Sequence, residues 1–206
     1  MLVIGLTGGI GMGKSAAAEH FASRGIPVFN ADSCVHRLYE GEAVGAIETA
    51  FPGVTRDGKV DRKLLSEMIA GSQARLKALE AIVHPMVVRA EIDFLIDEEK
   101  TGAKLAVLEI PLLFETGADS RVDVTIVLSA PAHVQRERVL ARPGMTVDKL
   151  EHLLARQLSD AERRTRADYV VDSGTSLEDM HAALDKLIES LQAREGRVME
   201  RLRRQR

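Results

Sequence analysis

Residues 8–15, Gly-Gly-Ile-Gly-Met-Gly-Lys-Ser, hold the densest chemistry in the chain. They fit the pattern G-x-x-x-x-G-K-[ST], with Gly8 and Gly13 as its glycines and Lys14 and Ser15 as its polar end. The physics behind the pattern is anion capture. Gly8, Gly9, Gly11 and Gly13 let the backbone curl until successive N–H groups point inward as a nest for phosphate oxygens, with Met12 and Ala16 contributing amides beside them. A helix starting where the loop ends adds its positive dipole end. Lys14 can reach the β- and γ-phosphates as a point charge, and Ser15 offers a hydroxyl to a Mg²⁺ ion.

A second reading of the same glycines fails on two residues. Gly11-x-Gly13-x-x-Ala16 also fits a dinucleotide fingerprint, with Asp32 near the place of its ribose-binding acid. That fingerprint leaves Lys14 and Ser15 unexplained, and its tight turn has no use for Gly8-Gly9.

The elements around the loop agree with a phosphate cradle. Leu2-Val3-Ile4-Gly5-Leu6 reads as a short buried strand, and residues 16–24 read as a helix closed by Gly25. Ile26-Pro27-Val28-Phe29 is a second apolar run. It ends at Asn30-Ala31-Asp32, before a helix through Val35, Leu38 and Tyr39. Asp32 thus falls at the C-terminal end of a strand, where open α/β sheets place their ligands. The plainer reading of Asp32 is a helix N-cap, a position that Asp favours.

From about residue 41 to 102 the pattern turns helical, with helices expected over 45–50, 62–70, 73–83 and 85–100. That is too long for a crossover between two strands, and it predicts a helical insertion covering one side of the site. Strands follow at 105–110, 122–128 and 169–171, so the fold class is α/β, a five-stranded parallel sheet flanked by helices. The core comprises 1–31, 104–141 and 168–192, the insertion 32–103. An arginine-rich hairpin at 142–167, broken by Pro143-Gly144, reads as a lid, although most of its arginines taken singly suit a solvated surface. Ser159-Asp160-Ala161-Glu162 resembles a capping box. Residues 193–206 hold six arginines against two glutamates and read as a frayed, solvated basic tail.

Composition narrows the partners. The chain has 206 residues, a formal net charge of −3, 3% aromatics and no Trp, which argues against a nucleic-acid surface or a base-stacking platform. Cys34 is the one cysteine, so no internal disulfide forms, and its plainest role is a small buried side chain. No apolar run reaches membrane-spanning length and no signal peptide precedes the first strand. The expectation is a cytoplasmic protein with small-molecule substrates, no nucleic acid, no membrane and no obligate protein partner. Absences then separate the P-loop classes. Asn30 is the sole asparagine, so an Asn-Lys-x-Asp guanine reader cannot exist, and no Asp is followed three residues on by Gly. The third strand closes Leu108-Glu109-Ile110-Pro111 without a Walker-B aspartate. A P-loop, a helical insertion and an arginine-rich cover together suit a small-molecule kinase, which must exclude water from ATP.

At this point the chain resembles one family, the dephospho-coenzyme A kinases. Residues 5–15, His84-Pro85, Pro111-Leu112-Leu113-Phe114-Glu115 and Arg163-Arg164-x-Arg166-Ala167-Asp168-Tyr169-Val170-Val171-Asp172 carry the resemblance, which spans residues 1 to about 190. It implies a P-loop kinase fold and ATP-dependent phosphorylation of the ribose 3′-hydroxyl of dephospho-CoA, the last step of coenzyme A synthesis. It also implies Asp32 as the base, Lys14 and Arg142 (with Arg138 next) at the transferred phosphate, and ATP on the loop from Gly8 to Ala16. Substrate contacts would come from Asp32, His84, Pro111, Leu112, Leu113 and Glu115, with Mg²⁺ on Ser15. The chain departs from the family pattern at Asn30, where Asp is usual, at Ser173, often Asn, and at Ala16, commonly Thr. Two alternatives stand beside this reading: a kinase for another small metabolite, a nucleotide or sugar acid, and a P-loop ATP-binding regulator that transfers nothing.

Overall fold

The computed structural model describes residues 1–204; the last two residues of the expected basic tail lie outside the described residues. Along the chain run β1 (Leu2–Gly8), α1 (Lys14–Ser23), β2 (Val28–Asn30), α2 (Ala31–Tyr39) and α3 (Val44–Ala50). A hairpin of β3 (Thr55–Arg56) and β4 (Lys59–Val60) follows, then α4 (Arg62–Ile69) and α5 (Gln73–Lys100). The second half holds β5 (Leu105–Glu109), β6 (Val124–Ser129), α6 (Ala132–Leu140), α7 (Val147–Leu154) and α8 (Asp160–Arg166). It closes with β7 (Tyr169–Asp172), α9 (Leu177–Gln192) and α10 (Val198–Arg204).

The chain divides into two compact units, one formed by Met1–Phe29 with the chain from Leu95 onward, the other by Asn30–Phe94. The first holds the five-stranded parallel sheet in the order β2-β5-β1-β6-β7, which puts β1, and so the loop that follows it, at the centre. Every residue of β1 and β6 is buried, as expected for parallel strands covered on both faces. Leu2, Ile4 and Leu6 of β1 join Phe21 of α1 and Leu184, Ile188 and Leu191 of α9 in one cluster. Each such side chain contributes about 1.5–3 kcal/mol of burial. The cluster holds β1 and α1 rigid on either side of the loop.

In the Arg-x-Arg-Ala-Asp-Tyr stretch, Asp168 is a fastener. Its carboxylate accepts from the Thr125 N–H and hydroxyl, both at 2.8 Å, and its own N–H donates back to that hydroxyl at 2.9 Å. This fixes the entry of edge strand β7 beside β6.

The second unit differs from expectation in two places. The hairpin β3–β4 was not foreseen, although Asp57-Gly58 between its strands is a strong turn signal; both adopt positive φ, 49° and 75°. The helices expected at 73–83 and 85–100 are one helix, α5, with Pro85 inside it. An interior proline forfeits a hydrogen bond and crowds the preceding turn. Here the apolar stripe runs through the fault, since Leu79, Val83 and Val87 are all buried, and packing outweighs the local cost.

The tail also departs from expectation. Instead of fraying, α10 buries Val198 and Met199, and Asp123 accepts from the Arg197, Val198 and Val3 N–H groups at 2.6, 2.9 and 2.9 Å. One carboxylate therefore ties the C-terminal segment to β1.

Candidate functional site

The loop after β1 ends at Gly13 in the left-handed conformation, and α1 begins at Lys14 with no side-chain cap and no acidic residue in its first turn. No side chain caps the N–H groups of this first turn, and an anion there gains hydrogen bonds and the helix dipole together. Lys14 folds over the loop, its Nζ donating to the carbonyls of Gly8 at 2.8 Å and Gly9 at 3.2 Å.

A cavity of about 330 Å³ opens at this point. Its walls are residues 11–16 of the loop, Arg138 and Arg142, and Ser173, Thr175, Ser176, Leu177 and Met180. Loop and arginines expected to share a ligand thus face one cavity. Gly8 and Gly9 are buried and lie outside its lining. Both arginines are exposed, and Arg138 Nη2 donates to the Ser173 carbonyl at 2.7 Å. The Ser173 hydroxyl is buried and donates to the carbonyls of Met12 at 2.8 Å and Ser129 at 3.1 Å, so its side chain braces the loop. Sequence reasoning missed Thr175, Leu177 and Met180 as lining; the turn between the last strand and the Ser176-capped helix was the available signal.

The second unit has its own cavity, of about 540 Å³. Asp32, Val35, His36 and Tyr39 from α2 face Arg62, Leu65, Ser66 and Ile69 from α4, with Leu79 from α5. Its lining mixes the polar Asp32, His36, Arg62 and Ser66 with the apolar Val35, Leu65, Ile69 and Leu79. Arg62 contacts His36 Nε2. Burial pushes the Tyr39 phenol up, with Arg62 pulling it partly back.

At the start of α2 the structure separates two roles the sequence left together. The N-cap is Asn30, whose Oδ1 accepts from the Ser33 N–H at 2.7 Å. Asp32 is exposed in the first turn and lines the cavity. Capping is therefore not what Asp32 does, and an asparagine at position 30 caps as well as an aspartate.

None of the other expected substrate contacts is in the lining of that cavity. His84 is exposed on α5, outside that cavity's lining. In Pro111-Leu112-Leu113-Phe114-Glu115, Leu113 and Phe114 are buried in packing, and the Pro111 carbonyl accepts from the Thr7 hydroxyl at 3.2 Å. The Leu112 carbonyl accepts from the Thr116 N–H and hydroxyl. The Glu115 carboxylate turns to the hairpin, accepting from the Leu158 N–H at 2.8 Å, with Arg163 Nη1 at 3.9 Å. The Leu113 side chain is packed in the core and the Glu115 carboxylate is engaged at the hairpin. The solvated-surface reading of the hairpin arginines fails for one of them, because Arg163 is only 2% exposed.

Residues 2–179 match the family model described as dephospho-CoA kinase. The chain belongs to the dephospho-CoA kinase family. The dephospho-CoA kinase of Rhodopseudomonas palustris (strain BisB18) is 54% identical over 188 residues, 91% of this chain and 94% of the relative. Among solved structures, TT1252 from Thermus thermophilus is 37% identical with a TM-score of 0.79, covering 92% of this chain and 97% of that one. The dephospho-CoA kinase from Campylobacter jejuni shares the fold at 24% identity and a TM-score of 0.63, over 92% and 96% of the two chains.

Proposed function

We propose that this chain transfers the γ-phosphoryl group of ATP to the ribose 3′-hydroxyl of dephospho-CoA, giving coenzyme A and ADP. Family membership supports the substrates. The observation that carries the phosphoryl chemistry is the uncapped start of α1 beside Lys14, facing the cavity it shares with Arg138 and Arg142.

Asp32 is the base in this reading. Its carboxylate orients the 3′-hydroxyl and accepts its proton; the 3′-oxygen bonds to the γ-phosphorus as the bond to the β,γ-bridging oxygen breaks and ADP leaves. Phosphoryl transfer asks the protein mainly for position and for charge to meet the phosphoryl oxygens. With three N–H donors, Lys14 can keep its hold on the Gly9 carbonyl while another donor turns to a phosphate oxygen when nucleotide binds. Arg142 and Arg138, which line the same cavity, supply further positive charge.

Mg²⁺ fits the residues present. The Ser15 hydroxyl is exposed in the first turn of α1 and lines the cavity, a neutral hard oxygen suited to a cation that completes its shell with phosphate oxygens and water. When bound, the ion neutralises charge on the β- and γ-phosphates. Among the described residues no helix is long and apolar enough to cross a membrane. Together with the reading of Cys34, this fits an enzyme that meets its small-molecule substrates in the cytoplasm.

A coupled ADP-release assay tests the proposal with dephospho-CoA, CMP, AMP, gluconate and shikimate as acceptors. ADP release with dephospho-CoA alone is expected. Faster release with another acceptor, or a slow rate that no acceptor changes, overturns it.

A further inference from the structure

The first half of the phosphate loop is held from behind by groups that the transfer reaction does not touch. Ile10 is gripped on both sides: its N–H donates to Gln157 Oε1 at 3.2 Å, and its carbonyl accepts from Gln135 Nε2 at 2.8 Å. Beneath Gly9 lies Arg163. A Cβ on Gly9 would sit 2.6 Å from Arg163 Nη2 and 3.0 Å from Gln135 Nε2, so the guanidinium packs directly against the loop backbone. The same guanidinium donates through Nη1 to the Leu158 carbonyl at 2.6 Å, while Glu115 holds the adjacent Leu158 N–H.

Stability alone is a poor account of this arrangement. Arg163 Nε and Glu115 Oε2 are buried without hydrogen-bond partners, and the two charges stand 3.9 Å apart. A buried pair left partly unsatisfied gains little over an apolar pair of similar volume. A rigid planar fork does offer a fixed surface for the backbone, with both ends of the contact defined. Gly9 also holds Lys14, since its carbonyl accepts from Nζ.

We propose that Arg163 is a positioning residue of the phosphoryl-transfer site: its buried guanidinium sets the place of Gly9, and through the Gly8 and Gly9 carbonyls the place of Lys14. Arg163 lies on α8, so it also joins the base of the hairpin to the loop. The inference rests on the kinase reading above. It assigns Arg163 no contact with either substrate.

The cavity is lined by the loop only from Gly11 onward, so the consequence is a split between turnover and nucleotide affinity. In Arg163→Met, kcat should fall about 10- to 100-fold, the size expected when a catalytic group is displaced by about an ångström. ADP affinity, measured by calorimetry, should change less than about threefold, because the loop amides from Gly11 and the start of α1 remain. Arg163→Lys, which keeps the charge and a donor for the Leu158 carbonyl, should recover part of the kcat. Thermal melting of each variant separates positioning from folding. Where Arg163→Met melts too low to assay, Arg163→Met with Glu115→Gln removes the stranded carboxylate; its melting temperature should rise while kcat stays low. Wild-type kcat in Arg163→Met overturns the proposal, as do kcat, ADP affinity and melting temperature falling in step. If wild-type protein released no ADP with dephospho-CoA, the kinase reading itself would fail, a result distinct from either.

Discussion

Asp32→Asn separates chemistry from architecture, because the structure gives the capping role at α2 to Asn30. Asp32 is exposed and makes no cap, so its replacement removes only a carboxylate from the first turn. Loss of that charge near the helix N-terminus costs about 0.3–1 kcal/mol. In a chain of this size each kcal/mol moves the melting temperature by about 2–4 °C, so the expected drop is about 1–4 °C. As the base, the same carboxylate governs the barrier. Removing a general base slows a reaction by about 10²- to 10⁴-fold, or about 2.7–5.4 kcal/mol at 1.36 kcal/mol per decade. The barrier should therefore change several times more than stability. ADP release at saturating ATP and dephospho-CoA gives turnover, calorimetry gives ATP affinity, and a thermal melt gives stability. ATP affinity should hold, since the loop and α1 carry the phosphates. Asn30→Ala is the mirror experiment: it loses the bond to the Ser33 N–H and should cost about 0.5–2 kcal/mol of stability while turnover falls far less than in Asp32→Asn. Near-normal turnover in Asp32→Asn, with stability intact, would refute the assignment of the base.

Three further substitutions probe the loop and its supports. Lys14→Ala should lower turnover by about 10²- to 10³-fold with little change in melting temperature, since water can satisfy the Gly8 and Gly9 carbonyls it leaves; normal turnover with a lowered melt would make the lysine structural. In Gly11→Ala, φ of 76° and a Cβ 2.5 Å from Val139 Cγ2 combine left-handed strain with overpacking, each about 1–3 kcal/mol, and calorimetry should show a melting point lower by several degrees. An unchanged melt there would mean the loop is not held as described. Asp185 is held below the usual carboxylate range, first by Arg24 and then by His20, so its stabilising contribution is complete above the ordinary Asp pKa of about 3.9 and is lost as pH falls through the lower folded value. The gap in melting temperature between wild type and Asp185→Asn should be widest above about pH 5 and close toward about pH 2, whereas parallel curves would refute the linkage.

How much of this was legible in the sequence depends on whether the deciding interaction is local. The loop and its flanking strand and helix were readable because the glycine spacing, the apolar run and the lysine lie within fifteen residues of one another. The five strands of the parallel sheet, the Ser159–Glu162 capping box and the turn at Pro143-Gly144 were readable for the same reason. The continuity of α5 was not, because proline carries a local penalty while the burial of Leu79, Val83 and Val87 that offsets it is tertiary. Docking of α10 was hidden likewise: its arginines dominate the composition, whereas the anchor is Asp123, more than seventy residues away.

The same rule explains the division within the candidate site. Asp32 and Asn30 look interchangeable as caps two residues apart, and only the hydrogen bond from Ser33 tells which one caps. The arginines of the hairpin look alike as letters, yet Arg142 is exposed at the cavity and Arg163 is buried under Gly9. A guanidinium in a sequence states a charge and a fork of donors. Whether that fork meets a phosphate or supports the backbone that does is decided by what lies across the fold from it. For Arg163 that partner is a glycine, the one residue type with no side chain to announce the contact.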